Sequence, residues 1–264
     1  MVKKLIFLIF ILQFSTLLAQ ERNLKISPIS TQKIDADVFV GFDGLENLYY
    51  IKDNILFKEN KRESWQYKNI SLVNISRVDI ENPLKTVLFY EKFNTIILLD
   101  NQLNETQKIN FSENNEPLIV TAIGIASQNR VWIYNNLTQK IGLFDYLKNT
   151  HQSITTSIQG DLKWHHSDFN TFQWIDESLN WYSCDLFGKI TLIGKVPDFD
   201  QIQIAEDKAV VFSKDKKLYL HDFQKDILYT INIVDKSFEN FYYKDQILSI
   251  FTPQQITNFK ISKQ

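Results

Sequence analysis

The sequence predicts an all-β protein, and more specifically a six-bladed β-propeller, on three observations. No stretch after residue 20 keeps a helical apolar period. Short segments of β-branched and aromatic residues run there instead, broken by Asn, Asp and Lys clusters, which is the pattern of strands and turns. One strand type then returns about every 40 residues, the spacing of a propeller blade.

That strand type is apolar and ends on Asp or a similar polar residue. It reads Ile55-Leu56-Phe57-Lys58-Glu59, Ile96-Ile97-Leu98-Leu99-Asp100, Ile141-Gly142-Leu143-Phe144-Asp145, Trp181-Tyr182-Ser183-Cys184-Asp185, Leu218-Tyr219-Leu220-His221-Asp222 and Ile256-Thr257-Asn258-Phe259-Lys260. Successive first residues lie 41, 45, 40, 37 and 38 positions apart, so six units fill the chain after residue 20; five or seven blades are the alternatives. Each unit divides into four strands separated by polar turns. In the fifth they are expected at 201–205, 209–212, 218–222 and 228–233, and in the third at 121–126, 131–134, 141–145 and 153–158. The sixth offers only 240–243, 246–251 and 256–261. Its fourth strand is expected at 24–29, which would close the ring and remove two exposed edges. Glycine is scarce, 7 residues in all, so Asn and Asp must form most turns.

The N-terminus has the layout of a secretory signal peptide. Lys3 and Lys4 precede the apolar stretch Leu5 to Phe14, and Leu17-Leu18-Ala19-Gln20 leads into Glu21-Arg22. The stretch falls short of the ~20 apolar residues that span a bilayer. Cleavage is expected near Ala19 or Gln20, giving residues 1–19 as signal peptide and 20–264 as one propeller domain. The expected location is the periplasm or the cell exterior, with no membrane span after cleavage. Formal net charge is −2 and no long run of like charge occurs, which argues against a nucleic-acid partner. The single cysteine, Cys184, cannot form a disulfide within the chain and is expected to be a buried, inert thiol.

Two segments resemble known repeat propellers. Phe42-Asp43-Gly44-Leu45-Glu46-Asn47-Leu48-Tyr49-Tyr50 resembles the D-x-x-G-N-L-Y turn of NHL-type bacterial propellers, and Lys140-Ile141-Gly142-Leu143-Phe144-Asp145 resembles the Asp-terminated strand of NHL and WD40-like blades. The resemblance implies a divergent secreted propeller of no specific family, since the usual turn glycines are mostly missing.

Few residues point to chemistry. Trp164-His165-His166-Ser167-Asp168 is the richest segment, but adjacent strand residues face opposite sides, so His165 and His166 cannot both reach one metal ion. No metal site is expected. His166 and Asp168 are weak catalytic candidates, as a base and its orienting partner at a central channel, with Trp164 partly exposed beside them. Asp100, Asp145, Asp185 and Asp222 recur once per unit and are expected to bond the amides of the turn that follows. The tryptophans could form a sugar-stacking platform, but Trp132, Trp174 and Trp181 lie among apolar neighbours and are expected in the core. Partner contacts are expected at Trp164 and on the loops that enter each first strand or join the second to the third: Glu113-Asn114-Asn115-Glu116, Asp161, Asp198 to Asp200 and Asp235. No Gly-rich phosphate loop, Gly-x-Ser-x-Gly elbow or Cys-x-x-Cys pair occurs, and no cofactor is expected. The reading that follows is an exported, monomeric, non-catalytic binding or scaffold protein with a protein or glycan partner. Its alternatives are a hydrolase or lyase with its site at the channel, and a small-molecule or metal sensor.

Overall fold

A computed structural model describes residues 22–262 except 115–117, 159, 207 and 234–237. The expected signal peptide and Asn115, Glu116 and Asp235 lie outside the described residues. Among the described residues no helix is long and apolar enough to cross a membrane; the helical content is two single 3₁₀ turns, Glu91–Phe93 and Phe111–Glu113.

Everything else regular is strand. After β1 (Arg22–Lys33), four antiparallel sheets of four strands follow in chain order. They are β2 (Val38–Phe42) to β5 (Ser64–Tyr67) through β3 (Leu48–Lys52) and β4 (Ile55–Glu59); β6 (Arg77–Asn82) to β9 (Glu105–Asn110) through β7 (Lys85–Tyr90) and β8 (Thr95–Asp100); β10 (Val120–Ala126) to β13 (Thr150–Ser153) through β11 (Arg130–Asn135) and β12 (Lys140–Asp145); and β14 (Leu162–Ser167) to β17 (Ile190–Lys195) through β15 (Thr171–Asp176) and β16 (Asn180–Asp185). The remaining strands are β18 (Gln201–Glu206), β19 (Ala209–Lys214), β20 (Lys217–Asp222), β21 (Ile227–Ile231), β22 (Asn240–Lys244), β23 (Ile247–Thr252) and β24 (Gln255–Ser262). They join β1 in one eight-stranded sheet of order β18-β19-β20-β21-β1-β24-β23-β22. The N-terminal strand therefore does pair with the C-terminal one, antiparallel from Lys25↔Ser262 to Lys33↔Gln255. Its first three residues also pair parallel with β21.

The core lies between sheets rather than at one centre. Apolar clusters join β2–β5 to β6–β9 (Tyr49 and Leu56 with Leu88 and Leu99), β6–β9 to β10–β13, and β10–β13 to β14–β17 (Trp132 with Phe172 and Trp174). Others join β14–β17 to β18–β21 (Trp181 with Phe212), the two halves of the eight-stranded sheet, and its β22–β24 half to β2–β3 (Phe251 with Phe39). The last of these closes a ring, and the fold is a β-propeller.

The third unit corrects one expectation. Its fourth strand was expected at 153–158 and runs instead over Thr150–Ser153. Asp145 accepts the amides of Leu147 and Lys148, and Asn149 takes a left-handed φ of 53°, so the chain reverses at once and pairing begins at Thr150. Residues 154–158 become the connector.

Left-handed turn positions are filled by residues other than glycine in two recurring devices. Two-residue hairpin loops at Asp53-Asn54, Asp215-Lys216 and Asp245-Gln246 have positive φ at both positions, the geometry that suits the twist of the flanking strands. A five-residue clasp recurs at 43–47, 100–104 and 176–180. In each, Asp accepts the backbone amide and the side-chain amide of the Asn four residues on (Asn47, Asn104, Asn180). The residue before that Asn (Glu46, Leu103, Leu179) is left-handed and donates its amide back to the Asp carbonyl. Asp145, Asp185 and Asp222 likewise accept amides of the next turn.

Candidate functional site

The first strand of each group, β2, β6, β10, β14, β18 and β22, has one neighbour in its sheet and so a free inner edge. These strands touch one another around the ring: β2 with β6, β6 with β10, β10 with β14, β18 with β22, and β22 with β2. Polar side chains at alternate positions reach forward to the backbone edge of a following inner strand. Asp79 on β6 accepts the Ile125 amide of β10 at 2.9 Å. Arg77 reaches past β10 to donate to the His165 carbonyl of β14 at 3.2 Å. Gln203 on β18 both donates to the Tyr243 carbonyl and accepts its amide, at 2.8 and 2.7 Å. On β22, Asn240 donates to the Phe39 carbonyl at 3.1 Å and the Tyr242 hydroxyl to the Phe42 carbonyl at 2.8 Å. Inner edges that would otherwise present unpaired amides and carbonyls are latched by side chains.

Small residues make this close approach possible. A Cβ on Gly124 would stand 1.7 Å from the Ser167 hydroxyl and 3.0 Å from an Asp79 oxygen. Gly41, with φ of 147°, leaves the room that the Tyr242 ring fills.

Charge converges on the axis as well. Arg77, His165 and His166 keep some water-accessible surface, yet burial depresses the pKa of all three. Arg77 lowers both histidines further, while Asp79 and Asp168 oppose the shift of His166. Burial raises the Glu81 carboxyl, helped by Asp79 and Asp168 and opposed by Lys244. Since Glu81, Asp168 and Lys244 come from three separate units, these influences cross the ring. Buried polar atoms without a partner gather here too: Arg77 Nε, His165 Nε2 and Ser167 Oγ.

The catalytic candidates come near each other without forming a working pair. The Asp168 carboxylate is taken by its own turn, accepting the amides of Asn170 and Thr171 at 2.7 Å and the Thr171 hydroxyl at 2.8 Å. His166 stacks on Trp164 (6.1 Å between ring centres, 16° between planes), and His165 faces the other way onto Phe172. Trp164 is partly buried against the cluster between β14–β17 and β18–β21. The axial residues absent from the sequence reading, Arg77, Asp79, Glu81, Gln203, Tyr242 and Lys244, do carry a signal: polar residues at alternate positions of otherwise apolar first strands.

On the face formed by the entering loops and the second-to-third turns, Asp161 is exposed. Asp198 is held by Lys163 (3.0 Å) and Lys214 (2.7 Å), whose hydrogen bonds push its pKa well below the usual carboxylate range. Asp200 accepts the Asp215 amide and pairs with Lys214. The same face carries Ile70, Val73, Phe93, Ile119 and Leu137, all exposed, with Ile70 at 88%. Hydrogen bonds tie these segments side by side. Glu91 donates to Ser76 Oγ, the Asn94 side chain bridges Leu118 and Val120, and Asn136 donates to the Ile119 carbonyl. Beyond Leu137, Ile158 donates to the Gln139 carbonyl and leads into a hollow of about 550 Å³ walled by Trp174 and Tyr182. Trp132, Trp174 and Trp181 are buried, and Cys184 is buried with its thiol pushed up to about 12.

No family model and no curated protein matches the chain. Solved structures do. The chain is similar to YCF48 bound to D1 peptide, with 8% identity over 92% of this chain and 100% of that one and a TM-score of 0.61. It is similar to the β-propeller domain of Cps50 (Swd1) from Myceliophteria thermophila, with 10% identity, 90% and 100% coverage and a TM-score of 0.59. It is also similar to a catalytically inactive virginiamycin B lyase from Staphylococcus aureus with quinupristin, with 11% identity, 89% and 99% coverage and a TM-score of 0.54. At such identities the likeness carries the fold alone. Architecture and comparisons agree on a β-propeller far diverged in sequence from the propellers it resembles.

Proposed function

We propose that this chain is an exported, monomeric protein-binding propeller that engages its partner through the face bearing Ile70, Val73, Phe93, Ile119 and Leu137. The exposure of these five side chains along contiguous rim segments carries the reading, because an apolar patch rimmed by polar residues is the usual mark of a protein contact. An aliphatic stripe with one phenylalanine suits a protein partner better than a sugar, and the buried tryptophans leave little aromatic platform for a glycan. The eight-stranded sheet counts as two blades bridged by the parallel β21·β1 pair, giving six blades in one domain over 20–264, closed by the N-terminal strand after removal of residues 1–19. Export rests on the basic and apolar N-terminus. A propeller solved with a bound peptide supports the general mode.

A lyase or hydrolase at the channel, which the lyase likeness would suggest, has less support. One Asp168 oxygen accepts the Asn170 and Thr171 amides and the other the Thr171 hydroxyl, while the Asp79 oxygens accept the Glu81 and Ile125 amides.

The test is affinity capture from envelope fractions with the wild-type chain, an Ile70→Glu/Ile119→Glu variant and a Leu45→Glu/Leu84→Glu variant altered at exposed positions of the opposite face. The first variant is expected to lose the captured protein while keeping the wild-type Tm, and the second to retain it. Equal capture by all three would contradict the reading.

A further inference from the structure

Where the apolar stripe ends, the hollow that Ile158 and Gly160 line together with the β15–β16 turn has a composition of its own. Its wall is the Trp174–Tyr182 stack, with ring centres 5.2 Å apart and planes 20° apart, and Ile190 flanks it. Trp174 is buried and Tyr182 only partly so, which leaves the tyrosine available to a group entering the hollow. The rim is acidic. Asp176 lines the hollow, its carboxylate accepting the Asn180 backbone and side-chain amides. Glu177 lines it, exposed and with no hydrogen bond or ion pair among the described residues. Asp161 follows Gly160, another lining residue, and is exposed and likewise unpaired among the described residues. Burial, helped by Asp161, raises the pKa of Tyr134, whose hydroxyl approaches the Gly160 carbonyl.

The acidity is not neutralised locally. Lys195 stands across the ladder from Asn180 but forms no ion pair with these carboxylates. This contrasts with Asp198 and Asp200 on the same face, whose cations come from Lys163 and Lys214.

We infer that this hollow is an anchor site for a basic side chain, an arginine above all, projected by the protein partner that lies along the stripe. This rests on the protein-binding reading and names the chemistry of one contact within it. A guanidinium is planar, so it stacks on the Tyr182 ring while donating to Glu177 at the rim, a combination that an ammonium meets less well. A volume of about 550 Å³ accommodates the side chain with water around it.

The probe is N-acetyl-argininamide, titrated into the intact chain and followed through the five tryptophan indole NMR signals, with Trp174→Phe assigning the reporter. The Trp174 signal is expected to shift with a dissociation constant at least fivefold lower than for N-acetyl-glutaminamide. Asp161→Asn/Glu177→Gln is expected to weaken binding at least fivefold at unchanged Tm, and Tyr182→Leu to abolish the preference for arginine over lysine amide. Equal binding of the neutral and basic amides, no shift at Trp174, or wild-type affinity in the charge variant overturns the inference. A chitobiose titration that shifts Trp174 more tightly than the arginine probe overturns it in favour of a sugar. The two proposals fail separately: argininamide binding does not depend on the partner, and Ile70→Glu/Ile119→Glu leaves this hollow untouched.

Discussion

The axis and the rim of this propeller both collect polar and charged groups, and they use them in opposite ways. At the axis, Asp79, Arg77, Gln203, Asn240 and Tyr242 spend their hydrogen bonds on the backbone edge of another inner strand. At the rim, Glu177 and Asp161 are unpaired among the described residues, and Ile70, Ile119 and Leu137 face solvent. Burial explains the difference. A free amide buried at the axis is costly unless paired, so axial side chains are recruited to the fold, whereas exposed rim groups such as Glu177 and Asp161 are solvated and available to a partner. Convergence of titratable residues on a channel is therefore a poor sign of catalysis in this chain.

The largest effect expected from that contrast is at Asp79. Asp79→Ala removes the Ile125 partner and leaves Arg77 buried without its neighbouring carboxylate, so urea unfolding should show a loss of about 3 kcal/mol. A loss below about 1 kcal/mol would mean that water satisfies this edge as well as the carboxylate does. Gln203→Ala removes two bonds to Tyr243 and should cost about 2 kcal/mol by the same measurement.

The histidines sharpen the comparison through pH. His165 and His166 have folded pKa values held below 6.5 by burial and by Arg77, with Asp79 and Asp168 opposing at His166. Well above 6.5 they are neutral in both states and add no pH dependence. As pH falls below 6.5 the unfolded chain takes up protons that the folded chain refuses, so stability falls, by at most about 1.4 kcal/mol per pH unit for each histidine. A urea midpoint that is flat between pH 7 and 5, or one equally steep in a His165→Gln/His166→Gln variant, would contradict the axial environment described.

Smaller effects are expected away from the axis. Glu46 is exposed and left-handed at φ 63°, where the resembled D-x-x-G-N-L-Y turn has glycine, so Glu46→Gly should raise stability by about 0.5–1 kcal/mol. Leu103 is also left-handed but buried, and Leu103→Gly should destabilise because it forfeits packing. Ile70→Glu at the rim should change stability by less than about 0.5 kcal/mol.

Much of the fold was legible because strand repeats leave a period, and the Asp100, Asp145, Asp185 and Asp222 turns were legible because an Asp at a strand end has local amides to bond. The fourth strand of the third unit was misplaced because its residues 150–153, Thr-His-Gln-Ser, are polar and mostly exposed, whereas the more apolar segment 153–158 imitates a strand. The latches escaped notice because their partners are backbone groups from other units, which no local pattern names. The rim stripe escaped for a different reason: Ile119 and Leu137 sit beside core residues such as Val120 and the adjoining strand β11, and only the fold reveals that they point outward.

The most direct measurement is hydrogen exchange at the Ile125 amide, which belongs to an inner strand and, among the described residues, is held by the Asp79 carboxylate. In the wild-type chain it should exchange as slowly as the ladder amides of β11, and in Asp79→Ala at least a hundredfold faster while those ladder amides stay protected. Rapid exchange of Ile125 in the wild-type chain, or unchanged protection in the variant, would contradict the claim that axial side chains hold the inner edges of the ring.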